Sequence, residues 1–294
     1  MPASILYGPR IARRVDSDMT LRTAMTRLKP VLGMAMLGLV VLGVSRLGLA
    51  LWQRAAVDEV HGWVPVLVQG LRVDIATLCL LFVPLAALLL LVPAAVYDAR
   101  WVRRIAVGWL ALATTLLVWL ELATPGFMAE YGLRPDRVFV EYLVYPREVL
   151  SMLAEGRPLE CIGVLLLTAA AAWASLRLAR RGWPSQPTPA GGVLLRAGLA
   201  VLVLGVGAFG VRSTLGHRPM NPAMLAFSTN PTVNALPLNS FYSLAFAMRG
   251  WLQHEETAES LYGELPAETV LASVRAGTGL PASAFTDPER PTLA

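Results

Sequence analysis

Residues 75–96 read IATLCLLFVPLAALLLLVPAAV, 22 residues without a charge. Wound as a helix rising 1.5 Å per residue, this stretch is ~33 Å long, enough to cross a hydrocarbon core of ~30 Å. Pro84 interrupts it, and a span tolerates proline where neighbouring helices satisfy the freed carbonyl. Working outward, four more apolar runs of similar length stand at about Val31–Leu51, Ile105–Ala123, Leu159–Leu178 and Val193–Val211. The expected fold is therefore all-α: a polytopic membrane helix bundle of about five transmembrane helices with short interfacial helices.

Composition supports this reading. Charged residues make up 15% of the 294-residue chain, against about 25% in an ordinary soluble domain. The net charge of +5 does not point to nucleic acid, because the arginines form no stripe and stand in short clusters between the apolar runs. Cys79 and Cys161 fall within or beside spans and read as packing residues. Lys29 is the sole lysine in a chain rich in Arg, Ala, Leu and Gly, which points to a high-GC bacterial source.

The basic clusters also set an orientation. Arg10, Arg13, Arg14, Arg22, Arg27 and Lys29 precede the first run, Arg100, Arg103 and Arg104 follow the second, and Arg177, Arg180 and Arg181 close the fourth. Positively charged loops stay inside, so the N-terminus is expected in the cytoplasm and the C-terminus outside a bacterial inner membrane. The first run is longer than the ~7–15 apolar residues of a signal peptide and lacks a small-residue cleavage site, so it should remain as a span. The organisation expected is a cytoplasmic basic segment over 1–30, spans over 31–211, periplasmic interfacial helices over 212–252 and an acidic linker over 253–294.

Outside the spans, a short helix is expected after Pro146, with Tyr142 and Tyr145 at headgroup level. Asn221-Pro222 and Asn230-Pro231 read as helix starts, with Asn capping and Pro in the first turn, so one short helix is expected from Pro222 and a second from Pro231 or Pro237. Leu238, Phe241, Tyr242, Ala245, Met248 and Leu252 then share one helical face. That face could pack on the spans, lie on lipid or line a substrate groove. A further helix is expected from Pro266-Ala267-Glu268 to near Gly277 or Gly279.

Catalytic motifs are missing. His61, His217 and His254 are isolated, with no H-x-x-x-H pattern, phosphate-binding loop or nucleophile elbow nearby. Gly205, Gly207 and Gly210 lie inside a span and suit helix packing. The suggestive residues are charges near the outer ends of spans: Arg46 in the first, Arg72 and Asp74 at the start of the second, and Glu121 in the third. Such charges either pair and snorkel or meet a lipid headgroup. Asp74 is expected to pair with Arg46, and Arg72 suits a lipid phosphate.

Several segments together resemble the N-terminal membrane domain of the lipoteichoic acid synthase-like family of phosphoglycerol transferases, in the alkaline phosphatase/sulfatase superfamily. They are Gly70-Leu71-Arg72-Val73-Asp74, the stretch Glu141-Tyr142-Leu143-Val144-Tyr145-Pro146-Arg147-Glu148-Val149, Arg218-Pro219-Met220-Asn221-Pro222 and Asn239-Ser240-Phe241-Tyr242-Ser243-Leu244. The resemblance covers most of residues 30–250. It implies a sulfatase-like extracytoplasmic domain with a threonine nucleophile and a divalent metal, manganese or magnesium, but residues 250–294 match none of its ligands. No catalytic residue carries over, and this chain is expected to need no cofactor of its own and to be inactive alone. Arg46, Arg72, Asp74, Glu121, Arg218 and Asn221 are the candidate contacts to an anionic phospholipid such as phosphatidylglycerol. The expected role is to anchor and to present lipid to a sulfatase-like domain, encoded separately or on a longer chain. The alternative is a non-enzymatic scaffold for an envelope protein, and a transporter subunit fits least because the spans are bland at mid-depth.

Overall fold

The computed structural model describes residues 9–184, 192–262, 265–285, 287 and 292. Among them are twelve α-helices and no strand. In chain order these are α1 (Pro9–Trp52), α2 (Arg54–Glu59), α3 (Trp63–Leu91), α4 (Ala94–Tyr97), α5 (Arg100–Tyr131), α6 (Arg137–Val144), α7 (Pro146–Gly156), α8 (Pro158–Gly182), α9 (Val193–Arg212), α10 (Pro231–Ala235), α11 (Ser240–Tyr262) and α12 (Ala267–Gly277). The chain forms two compact units, Met1–Ala247 and Met248–Ala294.

Among the described residues, five helices are long and apolar enough to cross a membrane: Ala24–Trp52 of α1, and the whole of α3, α5, α8 and α9. The protein is a multi-pass membrane protein. Within the bundle α3 packs mainly on α9 and α1, and α5 mainly on α8 and α1. Burial follows that order: 61% of the apolar window of α3 lies inside the protein, against 17% for α9 and 6% for α8. The outer helices keep their leucines on the surface, which suits a bilayer, where apolar side chains have nothing to gain by leaving lipid.

Small residues set the closest approaches. A Cβ on Gly207 of α9 would meet Val83 at 2.5 Å, and one on Gly210 would meet the Cys79 sulfur at 2.6 Å. Gly205, grouped with them in the sequence, faces open space. Three residues before Pro84, α5 bonds to the backbone of α3, where Trp109 Nε1 donates to the Leu81 carbonyl at 2.9 Å.

The spans are longer than the apolar runs that announce them. The second begins at Trp63 rather than Ile75 and stops at Leu91, before Pro93, instead of reaching Val96. The third continues past Pro125 to Tyr131, where Gly132 ends it in the left-handed conformation at φ 68°. As a result Asp74 sits ~16 Å along α3 from its start and Glu121 ~15 Å from the end of α5, deeper than span ends read from hydropathy place them.

The capping expectations hold. Asn221 Oδ1 accepts from Met224 N at 3.1 Å, starting a 3-10 turn over Pro222–Leu225. Asn230 accepts from the amides of Thr232 and Val233. The segment between α9 and α11 folds down onto the bundle, with Leu225, Val233 and Leu236 buried. Of the apolar face expected after it, Leu238 is buried, while Phe241 and Tyr242 pack against core clusters. Ala245, Met248 and Leu252 remain exposed.

Candidate functional site

Two buried ion pairs occupy one end of the bundle. Arg46 on α1 meets Asp74 on α3 fork to fork, Nη1 and Nη2 each donating to a carboxylate oxygen at 2.6 Å. Their side chains are 3% and 1% exposed, so water cannot compensate either charge. The guanidinium lies across Gly70, where a methyl group would overlap it. Glycine at this position, four residues before Asp74, is what lets the arginine reach across the face of α3.

The second pair lies between Glu121 on α5 and Arg134 in the loop after it. Arg134 Nη1 donates to the two Glu121 oxygens at 3.0 and 2.9 Å. Its Nε donates to the Ala235 carbonyl at 3.2 Å, tying this loop to α10. Ser45, the neighbour of Arg46, donates its hydroxyl to Glu121. The carboxylate also accepts the backbone N–H of Ser240 at 2.9 Å, a free amide at the start of α11.

Asn239 and Ser240 join the two pairs. Asn239 Nδ2 donates to Asp74 Oδ1 and to Thr77 Oγ1, both at 3.0 Å. Its Oδ1 caps α11 by accepting from Tyr242 N at 2.9 Å. Ser240 Oγ accepts from Arg134 at 3.0 Å and shares a 2.5 Å hydrogen bond with Thr124. All of these side chains are buried. Apolar clusters flank them: Leu49, Val57, Val66, Met128, Val233 and Leu236 form one, and Val73, Met220, Leu225 and Leu238 form another. Within this closed set, Arg46 Nε and Arg134 Nη2 find no partner among the described residues.

The candidates read from sequence divide accordingly. Arg46, Asp74 and Glu121 come together in the network, with Arg46 paired to Asp74 as expected. Arg72 points to a different neighbour: it donates to Gln69 Oε1 at 2.5 Å and to the Ser213 carbonyl at the end of α9 at 2.6 Å. Arg218 is exposed, and Asn221 caps its own turn. Sequence reasoning missed Arg134 and the roles of Ser45, Gly70, Thr77, Thr124 and Ser240. Asn239 and Ser240 belong to a stretch that carries the family resemblance, which was the available signal for them.

Near the network, Tyr242 donates its hydroxyl to the Met220 carbonyl at 2.8 Å, and burial raises its pKa above the usual phenol value. The arrangement offers charge pairing and rigid attachment. Among the described residues no three His, Cys, Asp or Glu side chains come together as a metal site. No known protein family matches this chain, and no solved structure matches it either.

Proposed function

We propose that this protein is the membrane-anchoring and lipid-presenting module of a phosphoglycerol transferase, or of a related phospho-group transferase, of the lipoteichoic acid synthase-like type. The observation that carries the reading is the attachment of α11. The helix that leads out of the bundle begins on Asn239 and Ser240, and these two residues are bonded to both buried ion pairs. A start bonded to α3 and α5 at once, and through their carboxylates linked to α1, suits a tether for an extracytoplasmic sulfatase-like domain. The arginine-rich loops support an orientation with the N-terminus in the cytoplasm of a bacterial cell and the α11 end outside. Phosphoryl chemistry, with its manganese or magnesium, belongs in this reading to the sulfatase-like domain. This chain supplies position, and Arg72 and Arg218, near the same end, supply donors for a lipid phosphate.

The test is extraction of the full chain from its native membrane in mild detergent, followed by native mass spectrometry. The expected result is selective retention of phosphatidylglycerol together with a sulfatase-like polypeptide. A reporter active only outside the membrane should be active when fused after Ala294 and silent after Arg104. Lipid retained merely in proportion to membrane abundance, with no sulfatase-like partner, overturns the proposal. Recovery of a different envelope protein instead favours a scaffold role.

A further inference from the structure

At the opposite end of the bundle α8 finishes in a basic groove. Trp173, Leu176, Arg177, Arg180 and Arg181 share one face of its last three turns and line an open hollow of about 260 Å³. Arg177 is held over the Trp173 ring, its Cζ 5.1 Å from the centroid. Trp173 and all three arginines are exposed, and no acidic residue lines the groove. In its first half the same helix presents Ile162, Leu165, Leu166 and Leu167, each more than half exposed, with Leu167 ten residues (~15 Å) before Arg177. A single helix thus carries an open apolar surface that ends in an arginine-lined hollow, at the level where a span leaves the bilayer.

A second observation adds positive charge here. Gly182, at the end of α8, lies against Pro30 of α1, and Trp183 stacks on Tyr97 at 5.0 Å. Arg27 lies over that tyrosine ring at 4.8 Å and is fully buried. Arg27 and Arg196 both donate to the Val92 carbonyl, at 2.6 and 2.8 Å, so two buried cations meet at one acceptor. Arg27 Nε and Nη2 and Arg196 Nε have no hydrogen-bond partner among the described residues. Asp98 is an acid within electrostatic range of Arg27. Arg27 and Arg196 add two buried positive charges at the end of the bundle where Arg177, Arg180 and Arg181 stand. The carbonyl ends of α3 and α8 offset only about half a charge each.

We propose that this groove is a binding site for one anionic phospholipid of the leaflet at this end. Its phosphate would sit among Arg177, Arg180 and Arg181, and an acyl chain would lie along the leucines of α8. Guanidinium groups are suited to phosphate because they donate two parallel hydrogen bonds, and the Trp173 ring pre-orders one of them. The site is independent of the network end and of the catalytic reading above.

The test uses the full chain in nanodiscs of phosphatidylcholine, with and without phosphatidylglycerol. Hydrogen exchange of the peptide covering 173–183 is read alongside native mass spectrometry of retained lipid. Phosphatidylglycerol should protect that peptide. Arg177→Gln/Arg180→Gln should abolish the protection and lower retention about tenfold or more, the loss expected for two arginines at an anionic surface. Arg72→Gln, at the far end, should leave the 173–183 protection unchanged, which separates this site from any lipid held near the network. Protection that survives the double substitution, or that phosphatidylcholine or inorganic phosphate gives equally well, overturns the proposal.

Discussion

Breaking the Arg46–Asp74 pair from one side should be worse than removing both partners. The pair is buried at both ends and makes two 2.6 Å bonds. Removing one member of such a pair costs ~3–5 kcal/mol, because the charge left behind is neither solvated nor paired. The geometry adds an asymmetry. In Asp74→Asn the guanidinium keeps its charge but loses the carboxylate to which both its Nη atoms donate. In Arg46→Met the carboxylate still accepts from Asn239 Nδ2. Asp74→Asn should therefore cost the upper part of that range and Arg46→Met the lower part. Arg46→Met/Asp74→Asn, with no charge left to bury, should cost less than either single change, so the coupling should exceed the costlier single, at ~4 kcal/mol or more. Unfolding of the purified chain in mixed mild and denaturing detergent, followed by far-ultraviolet circular dichroism, measures all four corners of the cycle. Single effects below ~1 kcal/mol, or strict additivity, would refute the argument that this pair is dry and closed.

Other consequences are open to the same measurement. Gly207→Val should separate α3 from α9, since even a Cβ meets Val83 at 2.5 Å, and the unfolding midpoint should fall by the ~1–3 kcal/mol typical of overpacking. Asn230→Ala removes the side chain that accepts two amides at the start of α10 and should cost ~1 kcal/mol, with Asn230→Asp restoring most of it. Burial raises the pKa values of Tyr97 and Tyr242 above the usual phenol value. A raised folded value means the stabilisation is whole below the unfolded phenol pKa of ~10 and is lost as pH rises above it. Tyr97→Phe should flatten that alkaline decline, and at neutral pH it should be neutral or slightly stabilising, because the buried hydroxyl has no described partner.

The spans were legible because a membrane helix must be apolar over its whole circumference, so a run such as 75–96 announces itself. Their ends were less legible. Hydropathy marks where apolar residues stop, but α3 continues back through Arg72 and Asp74 to Trp63, because other helices satisfy those charges inside the protein. A window along one segment cannot see a partner that is 28 residues away, as Arg46 is from Asp74. Arg134 was hidden for the same reason: Gly132 turns the chain back, and only that turn brings the arginine onto Glu121. The asparagine caps were readable because they act within three residues of themselves. Asn239 does that too, yet its side chain also spans 165 residues to Asp74, and nothing local encodes the second role.

Two sequence doublets explain why the network takes this form. Neighbours on a helix point ~100° apart, so adjacent polar residues on α1 can serve two different helices. Ser45 turns to Glu121 on α5 while Arg46 turns to Asp74 on α3. Asn239 and Ser240 repeat the division from the other side, Asn239 bonding α3 and Ser240 bonding α5. Each carboxylate thus receives one member of each doublet. Apolar faces alone fix helix register weakly in lipid, where moving a leucine from a neighbouring helix to an acyl chain costs little. Sliding α1 by one residue would withdraw Arg46 from Asp74 and Ser45 from Glu121 together, leaving two buried charges poorly paired at once. The network therefore sets the register of α1, α3 and α5 and the position at which α11 begins. Loosening it should displace that start before it unfolds any span.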